Sequence, residues 1–263
     1  MSSGQSADSR ETARLQKAAE LLRHARHAVA FTGAGISTPS GIPDFRSAGS
    51  GLWEKHNPME VASLDVFRRH PERFYDWLRP LLQNIWAAEP NPAHIALARL
   101  EEAGILKALI TQNIDDLHQR AGSRNIYEVH GSLRSMTCPT CGQTFSARDF
   151  QKRLAGEEDS SRLPRCPKCS VVMKPDITLF GEMLPAQTWQ EAEEHCQRAD
   201  LMLVVGSSLE VWPASALPQI TADNGGALII NTYSTTALDR RADVLLRGDV
   251  AEILPELERL VLV

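Results

Sequence analysis

Two periods of apolar residues alternate along the chain. From about residue 11, the stretch ETARLQKAAELLRHARH puts Leu15, Ala18, Ala19, Leu22 and Ala25 at helical spacing. AVAFT follows as a continuous apolar run that ends at the glycines of GAG, so the order predicted is helix, buried strand, glycine-rich loop. The pairing repeats: PAHIALARLEEA predicts a helix over 92–103 stopped by Gly104, and LKALIT a strand over 106–111 that runs straight into QNID. A weaker strand, NIYEVH, ends at His130. Past residue 178 the pattern resumes with a helix near 186–199, the strand LMLVV, a helix near 213–223, the strands ALIIN and DVLL, and a last helix from about Asp249.

Strands that are apolar throughout, alternating with amphipathic helices, specify an α/β fold in which a parallel sheet carries helices on both faces. Such a sheet binds ligands beyond the carboxyl ends of its strands, where the strand order reverses. Two segments break the alternation. Residues 132–178 carry four paired cysteines in polar, turn-rich sequence and predict a small inserted domain. Residues 41–91 hold Trp53, Phe67, Phe74, Tyr75, Trp77 and Trp86 at spacings that suggest short helices, with these rings as core. The expected organisation is a large domain from 11–131 and 179–263, a small one over 132–178, a helical insertion over 41–91 that closes the cleft, and a flexible start over 1–10.

With 43% hydrophobic and 23% charged residues in 263, the chain can bury a large core, which excludes a disordered or fibrous protein. A formal net charge of -5 lacks the basic excess that phosphate backbones attract, so no direct nucleic-acid partner is expected. No apolar run reaches the ~18 to 20 residues of a membrane span. The Ser-rich start lacks the apolar segment of a secretory signal, and the expected compartment is the cytoplasm.

In that compartment, five cysteines arranged as two C-x-x-C pairs and one remainder point to metal before disulfides. Cys138-Pro-Thr-Cys141 and Cys166-Pro-Lys-Cys169 are separated by 24 residues, close to the spacing of zinc-ribbon knuckles that hold one tetrahedral zinc through thiolates. Four thiolates leave no open position for water, so the site reads as structural, with a disulfide pair or a redox dithiol as the alternative. Cys196 reads as a plain free thiol.

The loop Gly33-Ala34-Gly35-Ile36-Ser37 follows a strand, so its glycines can admit a pyrophosphate to the backbone or simply make a tight turn. STPSGIPDFR, from Ser37 to Arg46, is rich in small and functional residues, and an Arg beside an aromatic can pair with phosphate and shield a reacting centre. Gln112, Asn113 and Asp115 offer amides and a carboxylate suited to a carboxamide or ribose hydroxyls. Helix capping by Asn113 or Asp115 is the other reading. His130 ends a strand at the edge of the inserted domain, where its imidazole can serve as a general base or stand as a buried structural histidine. His24, His27, His56, His70, His94, His118 and His195 read as surface or packing residues. Gly206-Ser207-Ser208 and Asn231 end two further strands and would face the same crevice.

Taken together, GAGIS, SGIPDFR, TQNIDDLH, HGS, the two knuckles, ITLFGE, GSSLEV with its following Pro, and the IN strand end resemble the sirtuins, the NAD-dependent protein deacylases. The match runs in order over nearly the whole chain from about residue 17. The resemblance implies a Rossmann-like large domain, a zinc-ribbon small domain, and a cleft where NAD and an acyl-lysine peptide meet. By motif, Ala34, Gly35, Thr38, Asp44, Phe45, Arg46, Gln112, Gly206, Ser207, Ser208, Asn231 and Val250 are similar to the family's NAD contacts. Asn113, Ile114 and Asp115 are similar to its nicotinamide and ribose pocket, Asn113 and Asp115 being expected as catalytic, and His130 is similar to its general base. Phe180, Gly181, Glu182 and Val211 lie in segments expected to pair with the substrate backbone as an added strand.

The implied reaction joins attack of the acyl oxygen on the nicotinamide ribose, with release of nicotinamide, to acyl transfer onto ADP-ribose, leaving free lysine. Relatives that remove acidic acyl groups resemble one another in a Tyr-x-x-Arg pair whose Arg can bind the acyl carboxylate. Here Leu78 stands three residues after Tyr75, and Arg79 is one place off, which favours acetyl or another neutral acyl group. Thr178 stands where many relatives carry an apolar residue. Mono-ADP-ribosyl transfer and a non-catalytic NAD-binding module are the competing functions, and both leave a base at His130 without a task.

Overall fold

The structure, a computed structural model, describes residues 3–45, 51–155 and 163–263. Its strands are β1 (Ala28–Thr32), β2 (Leu106–Thr111), β3 (Ile126–Glu128), β4 (Gly131–Thr137), β5 (Thr144–Ser146), β6 (Lys174–Ile177), β7 (Leu201–Val205), β8 (Ala227–Asn231) and β9 (Val244–Leu246). Its helices are α1 (Ser3–His24), α2 (Leu52–Lys55), α3 (Pro58–Val61), α4 (Leu64–Arg69), α5 (Pro71–Ala87), α6 (Pro92–Glu102), α7 (Leu117–Ala121), α8 (Gln151–Ala155), α9 (Ala186–Arg198), α10 (Leu217–Asp223) and α11 (Val250–Leu262). None of them is long and apolar enough to cross a membrane.

Six strands form a parallel sheet in the order β3-β2-β1-β7-β8-β9, as a Rossmann-like fold requires. The chain steps outward from β1 to β3, then returns to the other side of β1 as β7, so the order reverses between β1 and β7. These two central strands are buried at every position, which is why AVAFT and LMLVV show no polar alternation. They pair in register from Ala28 with Leu201 to Thr32 with Val205 and therefore end level, opening a crevice above Gly33 and Gly206. Leu22, Leu97, Leu100, Leu254 and Leu257 from α1, α6 and α11 cover one face of the sheet. Ala192, Cys196 and Leu217 from α9 and α10 pack among Phe31, Met202, Val204 and Ile230 on the other. Asn91 accepts from the Ala93 N–H, with Pro92 in the first turn, and so fixes where α6 begins.

β4, β5 and β6 form a separate antiparallel sheet in the order β5-β4-β6. Its apolar side shares one core with the helical insertion, where Phe67, Phe74, Tyr75 and Leu78 pack with Met136, Cys138, Cys166 and Met173. The two interruptions of the alternation are thus one body, not two separate attachments.

Several boundaries differ from the sequence pattern. α1 begins at Ser3, inside the stretch 1–10 expected to be flexible. The helix expected near 213–223 becomes α-helical only at Leu217, because Pro218 fits the first turn and not the interior. The short helices expected over 41–91 are present as α2, α3 and α4, but α5 is longer, one helix of 17 residues with Phe74, Tyr75, Leu78 and Leu81 on its buried face. Phe67 and Phe74 are core as expected, whereas Trp53 and Trp77 line the cleft.

Candidate active site

Where β1 and β7 end, two glycine turns meet backbone to backbone. The Gly33 N–H donates to the Val205 carbonyl at 3.1 Å and the Gly35 N–H to the Gly206 carbonyl at 2.8 Å. A Cβ on Gly35 would lie 2.8 Å from the Gly206 oxygen, and one on Gly206, whose φ is +62°, would lie 2.2 Å from the Ile36 nitrogen. Contact between the loops therefore demands glycine at both positions. The Thr38 hydroxyl braces the first loop by donating to the Gly35 carbonyl at 3.0 Å.

Beneath this floor lies a connected set of buried polar groups. The Thr32 hydroxyl donates to Thr111 Oγ1 at 2.8 Å, and the Asn113 N–H donates to the same oxygen at 3.0 Å. Thr32 has one hydroxyl proton and spends it there, so His118 Nε2, 2.9 Å away, is the donor to Thr32. Asn113 Nδ2 donates to the Gly33 carbonyl at 3.2 Å and to Ser37 Oγ at 3.1 Å. Ser37 in turn donates to Asp115 Oδ2 at 2.7 Å, while the Leu117 N–H donates to Asp115 Oδ1 at 3.0 Å. Asp115 thus braces the first turn of α7 with one oxygen, as the capping reading expects, and joins the polar network of the cleft with the other.

Burial pushes the Asp115 carboxyl above its ordinary range, against the bonds donated by Ser37 and Leu117. Burial also pushes His94, 3.4 Å from Ser37 Oγ, down to about 4. His118 is driven well down by the same burial and then by His94, whose ring centroid is 4.9 Å away. Both imidazoles are neutral near pH 7.

His130 precedes β4, with Nδ1 3.1 Å from the Gln112 carbonyl. A carbonyl only accepts, so Nδ1 holds the proton and Nε2 is the basic nitrogen. Gln112 is itself pinned, its N–H donating to the Thr32 carbonyl at 3.0 Å and its Nε2 to Ser207 Oγ at 3.0 Å. Just past β6, the Thr178 N–H donates to the His130 carbonyl at 2.8 Å.

These groups open on one cavity of about 600 Å³. Phe45 stacks on Trp53 and Trp53 on Trp77, with ring centroids 5.1 and 5.7 Å apart, and Phe180 meets Trp53 edge-on at 6.0 Å. Among the described residues, the lining holds no Lys or Arg. Phe180 lines the cavity, and its backbone is held there by its N–H donating to the Ala62 carbonyl and its carbonyl accepting from the Leu64 N–H, both at 3.0 Å. The Phe180 backbone is thus paired inside the chain, which leaves Gly181 and Glu182 of the expected peptide-pairing segment beside the cavity. The Glu182 carboxylate braces the same loop, 3.0 Å from Lys174 Nζ and accepting from the Leu179 N–H at 2.8 Å.

Of the residues expected from sequence, Ala34, Phe45, Gln112, Asn113, Ile114, Asp115, His130, Phe180, Gly181, Glu182 and Val211 line this cavity. Gly35, Gly206 and Ser207 make the adjoining floor, while Thr38, Asp44 and Ser208 lie in the loops around it. Asn231 stands behind the crevice, fully buried, with Nδ2 donating to the Leu246 and Gly248 carbonyls at 3.2 Å each. Val250 packs in the core at the start of α11. Arg46 lies outside the described residues. Ser37, His94, His118, Trp53 and Trp77 belong to the site or its support, and the sequence pattern alone does not single them out. The GAGIS and TQNIDDLH motifs, which contain Ser37 and His118, are the signal that could find those two.

The glycine turns form a cradle that Cβ atoms would fill, and Asn231 Oδ1 is buried there without a partner among the described residues. Together with the amide and carboxylate of Asn113 and Asp115, this donor set fits a dinucleotide. The Sγ atoms of Cys138, Cys141, Cys166 and Cys169 all lie within 4.8 Å of one another, with Cys141 and Cys166 3.8 Å apart. Tetrahedral zinc–thiolate bonds of about 2.3 Å require sulfurs about 3.8 Å apart, so the four fit one zinc ion.

The Sir2 family model matches residues 33–213. The chain is 46% identical over 244 residues to NAD-dependent protein deacylase 2 of Archaeoglobus fulgidus, covering 92% of this chain and 94% of that one. It is 44% identical over 241 residues to the NAD-dependent protein deacetylase of Sulfolobus acidocaldarius, covering 92% of each. Among solved structures, it superposes with a TM-score of 0.87 and 40% identity on a Sir2 variant with a deacetylated p53 peptide and 3'-O-acetyl ADP-ribose, over 93% of this chain and 97% of that one.

Proposed function

The chain belongs to the Sir2 family and is an NAD-dependent protein deacetylase, and we propose that it acts on acetyl-lysine with His130 as general base and with Asn113 and Asp115 gripping nicotinamide and its ribose. The Gln112 carbonyl carries this reading, because it fixes the proton on His130 Nδ1 and so makes Nε2 the basic nitrogen, in the cavity that Asn113 and Asp115 line.

NAD, when bound, would supply an electrophilic ribose carbon for the acyl oxygen, with nicotinamide as its leaving group. His130 Nε2 takes a proton from a ribose hydroxyl and turns it into a nucleophile toward the acyl group. The Nδ1–H bond to Gln112 strengthens as the ring becomes cationic, which favours the proton transfer. Phe45, Trp53 and Trp77 keep water from the reacting centre, so the acyl group passes to ADP-ribose. Thr38, Asp44, Arg46, Ser208, Asn231 and Val250 complete the NAD site, and Gly181, Glu182 and Val211 offer backbone to the peptide. Zinc holds the small sheet and takes no part in the reaction.

The cleft favours a neutral acyl group. Tyr75 is fully buried and its hydroxyl donates to the Met173 carbonyl at 2.5 Å, away from the cavity. Leu78 is also fully buried, and the Arg79 guanidinium pairs with Asp76. An acyl carboxylate entering this cavity would meet no cation among the described lining residues. A thiolate-held zinc and unpaired cysteines suit a reducing compartment, consistent with the cytoplasm. Turnover of acetyl- and succinyl-lysine versions of one peptide tests this preference: acetyl removal should dominate, and faster removal of succinyl would refute it.

A further inference from the structure

The small sheet joins the large one at two adjacent crossings, His130 to Gly131 and Ile177 to Thr178, and the Thr178 N–H bond to the His130 carbonyl ties them together. Four residues beyond His130 in β4, Arg134 reaches back across this junction. Its Nη1 donates to Asp116 Oδ1 at 2.6 Å, and its Nη2 donates to Glu128 Oε2. Asp116 directly follows Asp115, and Glu128 is the last residue of β3, two before His130. One planar guanidinium thus spans the segment that carries Asn113 and Asp115 and the segment that carries His130.

Both partners need this cation. Asp116 holds a φ of 66°, a left-handed conformation that L side chains rarely adopt, and its carboxylate is anchored there by Arg134. The Glu128 side chain is only 13% exposed, and burial pushes its carboxyl upward against the pull of Arg134. A single exposed ion pair would contribute little, but here a fork of fixed width sets the separation of two chain segments.

We propose that Arg134 is a positioning residue that sets the nicotinamide loop and the general base at their working separation. It touches no reacting atom, and its role rests on the assignment of Asn113, Asp115 and His130 given above. The test uses the full-length zinc-loaded enzyme with NAD and an acetyl-lysine peptide, comparing wild type with Arg134→Ala, Arg134→Lys, Asp116→Asn and the double variant Arg134→Ala/Asp116→Asn. Misplacement of reacting groups predicts a roughly tenfold fall in kcat for Arg134→Ala with peptide KM within about twofold. Arg134→Lys should recover only part of the loss, because an ammonium cannot span both carboxylates. Asn tolerates the left-handed conformation, and the double variant should be no slower than Arg134→Ala alone, since the two residues act through each other.

An Arg134→Ala kcat within about twofold of wild type, or losses that multiply in the double variant, would overturn the proposal. If Arg134→Ala loses zinc or its cooperative melt while Arg134→Lys behaves as wild type, the role is structural and the proposal fails. Absence of turnover in the wild type overturns the assignment of the site and this role with it. Wild-type turnover with an unaffected Arg134→Ala overturns this role alone.

Discussion

Ser37 donates its hydroxyl proton to Asp115 Oδ2 at 2.7 Å, joining the first glycine loop to a strand end 78 residues later. Both residues are buried, and this bond is the largest of those that oppose desolvation of the carboxylate, ahead of that from the Leu117 N–H. Removing it in Ser37→Ala lets burial dominate and raises the Asp115 carboxyl further. Losing one partner of a buried carboxylate costs about 1–3 kcal/mol, so kcat/KM for NAD should fall roughly 5- to 150-fold. Steady-state kinetics with NAD varied at saturating peptide checks this, and an unchanged kcat/KM would count against the network.

Gly206→Ala should damage the dinucleotide site far more than the same change at a glycine in an open turn. Its Cβ would lie 2.2 Å from the Ile36 nitrogen, and φ is already +62°. A loss of about 2–4 kcal/mol and of NAD binding is expected. Gly225→Ala, at φ +82° with nothing within 4 Å, serves as the control and should cost only about 1 kcal/mol. Denaturant midpoints and NAD titration distinguish the two.

Chelation of zinc should unfold the small sheet and abolish activity, because the knuckles tie β4 to the 163–173 segment in the core shared with α5. Re-addition of zinc should restore both together. Cys166→Ser should reproduce the loss. Activity surviving in protein shown to be zinc-free would contradict a structural role.

Acid should weaken the fold ahead of ordinary carboxylate titration. The unfolded His94 imidazole takes up a proton below about 6.5, whereas the folded one resists until about 4, and His118 is held neutral in the same sense. Stability is therefore full above pH 6.5 and falls as the pH drops, by about 1.4 kcal/mol per unit for each histidine. Asp115 acts in the opposite sense at the acid end, since its folded form is protonated before its unfolded one. Denaturant unfolding at pH 7 and pH 5.5 should show the loss, and His94→Gln, which keeps the capping geometry, should reduce it.

The parallel sheet was legible because its central strands are buried on both faces and leave unbroken apolar runs, LKALIT matching β2 residue for residue. The cysteine knuckles were legible because a tetrahedral metal imposes a spacing. The shared core of the insertion and the small sheet was not, since contacts such as Tyr75 with Met173 join segments 98 residues apart and leave no period behind. Trp53 and Trp77 were misplaced because a cleft wall is as apolar as a core. His94 and His118 read in sequence as surface or packing histidines, and only folding brings Ser37 and Thr32 beside them.

The central claim is that His130 acts as a base in acetyl transfer to ADP-ribose. Mass spectrometry of all products from NAD and an acetyl-lysine peptide, with wild type and His130→Ala side by side, tests it most directly. Wild type should yield free lysine peptide, nicotinamide and O-acetyl-ADP-ribose in equal amounts, and His130→Ala should lose the last of these by several orders of magnitude. Equal O-acetyl-ADP-ribose from both, or ADP-ribose attached to protein in its place, would contradict the account.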